Sequence, residues 1–147
     1  MKIVTDSPLK TKKIGELLAK EILKERNSAP VIIGLRGNLG AGKTTFIQGF
    51  AKGLGLRKKI TSPTFVIFRH YGLRGASRRH LFHMDAYRIK KVSELSPLNF
   101  KEMISIPRSV ILIEWPERIK KALPKETRWF EFRHGHKENE RIIKFGK

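Results

Sequence analysis

The 147-residue sequence contains no cysteine. Disulfides, thiolate nucleophiles and cysteine-ligated zinc are therefore excluded together, and the absence agrees with a reducing compartment. Long apolar runs are also missing. No stretch approaches the roughly 18 uncharged residues of a membrane-spanning helix. The opening MKIVTDSPLKTKK has neither the apolar centre nor the small-residue cleavage site of a secretory signal. No membrane association is expected, and the expected location is cytoplasmic. Acidic residues are scarce as well: 13 stand against 32 Lys and Arg, a formal net charge of +19. Such a surface attracts polyanions, either RNA or an acidic partner, through contacts that weaken as salt rises. A general bias of the source proteome toward basic chains would give the same number. The cations are spread along the chain (Lys10, Lys12, Lys13; Arg57, Lys58, Lys59; Arg74, Arg78, Arg79; Lys120, Lys121), with no RNP-like aromatic signature and no zinc-finger spacing. The pairs His80/His83 and His134/His136 lack a matching ligand set, so zinc is not expected.

What remains suits a single α/β domain spanning residues 1–147, with 39% hydrophobic residues to fill one core. Pro8 behind Ser7 suits a first helical turn, and Ile14, Leu17, Leu18 and Ile22 recur at helical spacing, which predicts a helix from residue 8 to about 26. Val31-Ile32-Ile33-Gly34-Leu35 reads as a strand buried on both faces of a parallel sheet. Phe46, Ile47, Phe50, Ala51 and Leu54 then share one helical face, and Gly55 sits where a helix commonly stops. Near the end, Trp129–Arg133 and Arg141–Phe145 alternate as a C-terminal β-hairpin around HGHKENE.

Between that strand and that helix lies GNLGAGKTT, residues 37–45, which fits G-x-x-x-x-G-K-[ST] in the one context where the pattern is convincing. Its glycines let the backbone curl around phosphate oxygens, so that the amides of Asn38, Leu39, Gly40, Ala41 and Gly42 and the positive helix end can face an anion. Lys43 can reach the β- and γ-phosphates, and the Thr44 hydroxyl can complete the coordination of Mg²⁺. Thr45 adds a hydroxyl that either touches the α-phosphate or caps the turn. Such loops work with a carboxylate at the end of a neighbouring buried strand. Two are available. Val110–Ile113 leads to Glu114, which can hold Mg²⁺ directly or through its water shell. Arg79–Met84 leads to Asp85, which can polarise an attacking water or share the metal's outer shell.

The segments GNLGAGKTT, ITSPTFVIFRHY, LFHMDAYRI and ILIEWPERI occur in the order and approximate spacing of the TsaE (YjeE) family, and the resemblance covers roughly residues 8–120. It implies a P-loop NTPase fold with a mainly parallel, doubly wound sheet flanked by helices. It also implies weak hydrolysis of ATP to ADP with Mg²⁺, coupled to attachment of a threonylcarbamoyl group to adenosine 37 of tRNA by partners of the TsaB and TsaD types. Position by position, Lys43 and Thr44 match the phosphate lysine and the magnesium threonine, and Thr45 the next hydroxyl. Asp85 matches the catalytic or metal-linked aspartate, Glu114 the magnesium-associated glutamate, and Trp115 an aromatic close to the nucleotide. Ser62, Pro63 and Thr64 match a segment that resembles a γ-phosphate switch. The sequence departs from the family at Asn38, where an acidic residue is usual, in the basic GLRGASRRH, and after Glu94-Leu95, where a glycine is missing.

Two other classes compete. In a small phosphotransferase, Arg74, Arg78 and Arg79 would form a lid over the transferring phosphate and Asp85 would accept a proton from a hydroxyl substrate. In a nucleotide-switched RNA-binding module, the charge would do the main work and catalysis would be negligible. A GTPase is disfavoured because no N/T-K-x-D element follows the loop.

Overall fold

The computed structural model describes residues 1–60, 68–75 and 77–146. Its strands are β1 (Lys2–Thr5), β2 (Val31–Arg36), β3 (Phe68–Gly72), β4 (His80–Asp85), β5 (Ser109–Glu114), β6 (Arg128–His134) and β7 (Arg141–Gly146). The helices are α1 (Pro8–Leu23), α2 (Lys43–Gly53) and the short α3 (Phe100–Met103), with 3₁₀ segments at Val92–Leu98 and Pro116–Ala122. The strands form one sheet in the order β1-β7-β6-β2-β5-β4-β3. Its centre, β6-β2-β5-β4, is parallel, as expected from the continuous apolar runs. Both flanks are antiparallel: the predicted hairpin β6–β7 extends the sheet to β1 on one side, and β3 pairs with β4 on the other. The sheet as a whole is therefore mixed. Among the described residues no helix is long and apolar enough to cross a membrane.

β2 and β5 read as unbroken apolar runs because both sheet faces are covered. Successive side chains point to opposite faces. Ile33, Leu35, Leu81, Val110, Leu112, Phe130 and Phe132 therefore pack beneath α1 and α2. Ile32, Phe82, Met84, Ile111 and Ile113 pack on the other side against α3 and the 3₁₀ segments.

α1 begins as predicted, with the Ser7 hydroxyl accepting from the Lys10 amide at 3.2 Å and Pro8 in the first turn. It ends at Leu23, short of residue 26; of the apolar residues expected on one face, Ile22 is buried, Ile14 and Leu18 pack against the core and Leu17 is exposed, while Thr11, Gly15 and Ala19 complete the buried stripe. The reason is the contact with α2. A Cβ on Gly15 would strike the Phe46 carbonyl, one on Gly49 the Lys12 carbonyl, and one on Gly53 the Glu16 carbonyl. Small residues thus let the two helices lie almost backbone to backbone. α2 stops where Gly55 predicts: with φ +88° at Gly55, the amides of Gly55 and Leu56 donate to the carbonyls of Lys52 (2.9 Å) and Ala51 (3.0 Å).

Candidate functional site

Leaving the buried β2, the chain turns through Gly37, Gly40 and Gly42, whose φ angles are +146°, +78° and +101°. Side chains are strained in that region, and at Gly37 a Cβ would also press on the Phe132 backbone at 2.6 Å. Gly42 is the N-cap of α2 and offers no side chain to the first helical amides. α1 closes the same gap with Ser7. The first turn of α2 contains no acidic residue, so its amide donors and positive end are left for an outside anion.

Lys43 opens α2 from a buried position, with only 6% of its surface exposed. Its ammonium donates to the Gly37 carbonyl at 2.6 Å and stands 4.4 Å from the centre of the Trp115 ring. Burial lowers its pKa below the ordinary lysine value, while the negative charges of Glu114, Glu117 and Asp85 pull it back up.

The carboxylates come from register. On the face beneath α1 and α2, β4 presents Leu81, His83 and Asp85 opposite Val110, Leu112 and Glu114 of β5. Both ladders turn from apolar to polar where the strands emerge at the loop. Asp85 is directly across from Glu114 and accepts from the Tyr87 amide at 2.9 Å. Burial pushes the Asp85 carboxyl above the usual range, Glu114 adds to the effect, and the Tyr87 amide, His83 and Lys43 oppose it. Trp115 follows in a left-handed conformation (φ +57°), its ring 5.1 Å from that of Tyr87.

These groups share one cleft of about 260 Å³, lined by Lys43, Thr44, Thr45, Asp85, Glu114 and Trp115, along with Leu39, Gly40 and Gly42 of the loop. A basic helix end and hard oxygen donors facing one cavity suit a phosphate with a magnesium-type cation. The family called "Threonylcarbamoyl adenosine biosynthesis protein TsaE" matches residues 5–143. The chain belongs to the TsaE family.

Among proteins described as "tRNA threonylcarbamoyladenosine biosynthesis protein TsaE", that of Treponema pallidum is 35% identical over 86% of this chain and 87% of its own length. That of Bacillus subtilis is 39% identical over 83% of this chain and 70% of its own. The crystal structure of Bacillus subtilis YdiB superposes with a TM-score of 0.74 at 34% identity, over 99% of this chain and 83% of that one.

Within this TsaE-type site some expected residues stand apart. Of the residues expected to offer backbone amides, Asn38 and Ala41 do not line the cleft, and the Ala41 amide donates to the Asn38 carbonyl at 3.1 Å. Ser62, Pro63 and Thr64 lie outside the described residues. The suggested arginine lid is not at the site. Arg78 precedes β4 at the far ends of the parallel strands, fully buried, and donates to the Ala29 carbonyl at 2.6 Å.

Conversely, the fold brings in residues that the motifs did not flag. Pro8, Thr11, Asn139 and Arg141 line the same cleft. The Arg141 Nε donates to the Gly40 carbonyl at 3.1 Å, a contact set by β7 lying between β6 and β1. The His83 Nε2 donates to the Glu114 carboxylate at 2.8 Å, while its Nδ1 is buried without a partner among the described residues. The buried, polar end of β4 was the available signal for His83; for Arg141 there was none short of the topology.

Proposed function

We propose that the chain is a Mg²⁺-dependent ATPase that serves threonylcarbamoylation of adenosine 37 of tRNA as an accessory to proteins of the TsaB and TsaD types. The observation that carries this is the convergence of Lys43 and the uncapped start of α2 with Asp85 and Glu114 on one cleft. In this proposal the backbone of residues 38–42 and Lys43 hold the phosphates of ATP or ADP, Thr45 supports the α-phosphate, and Trp115 lies against the nucleotide. Thr44, Glu114 and Asp85 would hold Mg²⁺, which when bound neutralises charge on the phosphates. Asp85, its carboxyl raised by burial, is poised to take a proton from an attacking water. Ser62 and Thr64 are assigned to sensing the γ-phosphate. Among the described residues the cations that line the cleft are Lys43 and Arg141, and slow turnover is expected in the absence of partners.

The phosphotransferase alternative loses its lid, because Arg78 is locked into the opposite end of the sheet. A purely RNA-binding module would not need two facing carboxylates behind the loop.

Reconstituted tRNA modification with the partner proteins tests the proposal. Lys43→Ala should abolish nucleotide-dependent modification while the protein stays folded by circular dichroism. Modification by that variant at the wild-type rate would refute the proposed role of the site.

A further inference from the structure

We infer that a second cleft, at the C-terminal end of α2, binds the phosphate backbone of RNA. Lys12 of α1, Lys52 of α2 and Arg57, Lys58 and Lys59 beyond it line a space of about 410 Å³ that, among the described residues, no carboxylate borders. The other lysines of α1 show how unusual this is. Lys10 pairs with Asp6, Lys13 and Lys20 with Glu16, and Lys24, just after the helix, with Glu21. Lys12 has no such partner, and among the described residues none of the five cations stands within ion-pairing distance of an acid. Lys52 feels Glu16 only at longer range. Like charges that line one cleft repel one another, and with Glu16 reaching only Lys52 from a distance, a bound polyanion would supply the missing counter-charge.

The cluster is built by the fold. The left-handed Gly55 reverses the chain after α2 and returns Arg57, Lys58 and Lys59 to the side of Lys52 and Lys12. Ala51, Leu56 and the buried Ile60 give the cleft a firm apolar floor, and the negative end of the α2 dipole favours the cations.

The chemistry points to phosphates. Four of the five cations are lysines, point charges on long stems suited to backbone phosphates rather than to paired contacts with base edges. Among the described residues no aromatic lines the cleft, which favours phosphates over stacked bases as its ligand. The choice of RNA over an acidic protein rests on the proposed role in tRNA modification. The two clefts share no lining residue, and Lys52 stands about 14 Å along α2 from Lys43.

The test compares two variants of the full chain that lose the same charge: Lys52→Gln/Lys58→Gln/Lys59→Gln in the cleft, and Lys120→Gln/Lys121→Gln/Lys125→Gln away from it. Labelled tRNA is titrated by fluorescence anisotropy over a salt series, with polyglutamate as a second probe. The cleft variant should bind tRNA at least tenfold more weakly and flatten the dependence of log K on log salt by about two to three. The control should lose far less, and ATP turnover should be unchanged in both. Equal losses in the two variants would reduce the effect to overall charge and overturn the site. Unchanged tRNA affinity with lost polyglutamate binding would also overturn it, in favour of an acidic protein partner. Cleft-dependent tRNA binding by a wild-type protein that hydrolyses no ATP would sink the ATPase proposal and leave this one standing.

Discussion

His83 and Glu114 meet at 2.8 Å, Nε2 to Oε2, on neighbouring parallel strands and beneath the point where Asp85 faces Glu114. A carboxylate can only accept, so the imidazole donates, and this fixes the orientation of the Glu114 carboxylate at the wall of the cleft. Partners of this kind orient metal-binding groups, and their loss commonly costs 10- to 100-fold. His83→Leu should therefore lower ATP turnover at least tenfold and raise the Mg²⁺ concentration needed for half-maximal rate, with little change in nucleotide affinity. His83→Gln, which keeps a donor, should recover much of the loss. Magnesium titrations of the two variants decide the matter, and a leucine variant with the wild-type magnesium dependence would remove His83 from the site.

The close approach of α1 and α2 makes a prediction about stability. A methyl group on Gly49 would meet the Lys12 backbone, which cannot rotate away. Gly49→Ala should cost about 3 kcal/mol, the upper end of the range for overpacking, measured by urea unfolding. Gly72, with open space around its Cα, supplies the comparison, and Gly72→Ala should stay within about 0.5 kcal/mol of wild type. Equal effects at the two glycines would mean that the helices can separate at little cost.

Those glycines also show where the sequence was readable. β2, the loop and α2 were legible because the information is local: an apolar run, positive-φ glycines and an amphipathic helix follow one another directly. Asp85 and Glu114 were legible as polar ends of apolar strands. On α1, apolar periodicity marks Ile14, Leu18 and Ile22, which meet the core, and Leu17, which is exposed, but passes over Gly15, whose buried place follows from a contact that selects for absence of bulk. Arg141 and Thr11 could not be assigned to the cleft from spacing, since only the order β1-β7-β6-β2 brings them to the loop. Arg78 lies away from it because it precedes β4, at the opposite ends of the parallel strands.

At the opposite end of the sheet, the Glu25 carboxylate accepts two hydrogen bonds from Arg128, at 2.7 and 2.8 Å, and Arg78 lies 3.6 Å from it. The Arg128 bond, ahead of the general attraction of both guanidinium groups, holds the Glu25 carboxyl below its ordinary value of 4.5, against the opposing effect of burial. A depressed folded value means that the stabilisation is complete above the unfolded value and is lost as pH falls through the folded one. Glu25→Gln leaves Arg78 buried without its counter-charge and should cost about 3 kcal/mol at neutral pH. In urea titrations the gap to wild type should hold steady above pH 4.5 and close below it. A gap that persists undiminished in acid would show that the ion pair is not its source.

Arg141 yields the prediction that separates charge from geometry at the nucleotide cleft. Its Nε donates to the Gly40 carbonyl at 3.1 Å, while Nη1 donates to the carbonyls of Glu138 (2.7 Å) and Glu140 (2.9 Å), so one guanidinium ties the β6–β7 turn to the phosphate loop. Only a fork with several donors can make those contacts at once. If the tie sets the loop, both Arg141→Gln and Arg141→Lys should weaken binding of a fluorescent ADP analogue about tenfold, or about 1.4 kcal/mol. If instead the positive charge near the phosphates is what counts, lysine should restore wild-type affinity and glutamine should not. The three carbonyls already engaged by Arg141 favour the first outcome, and full rescue by lysine would overturn it.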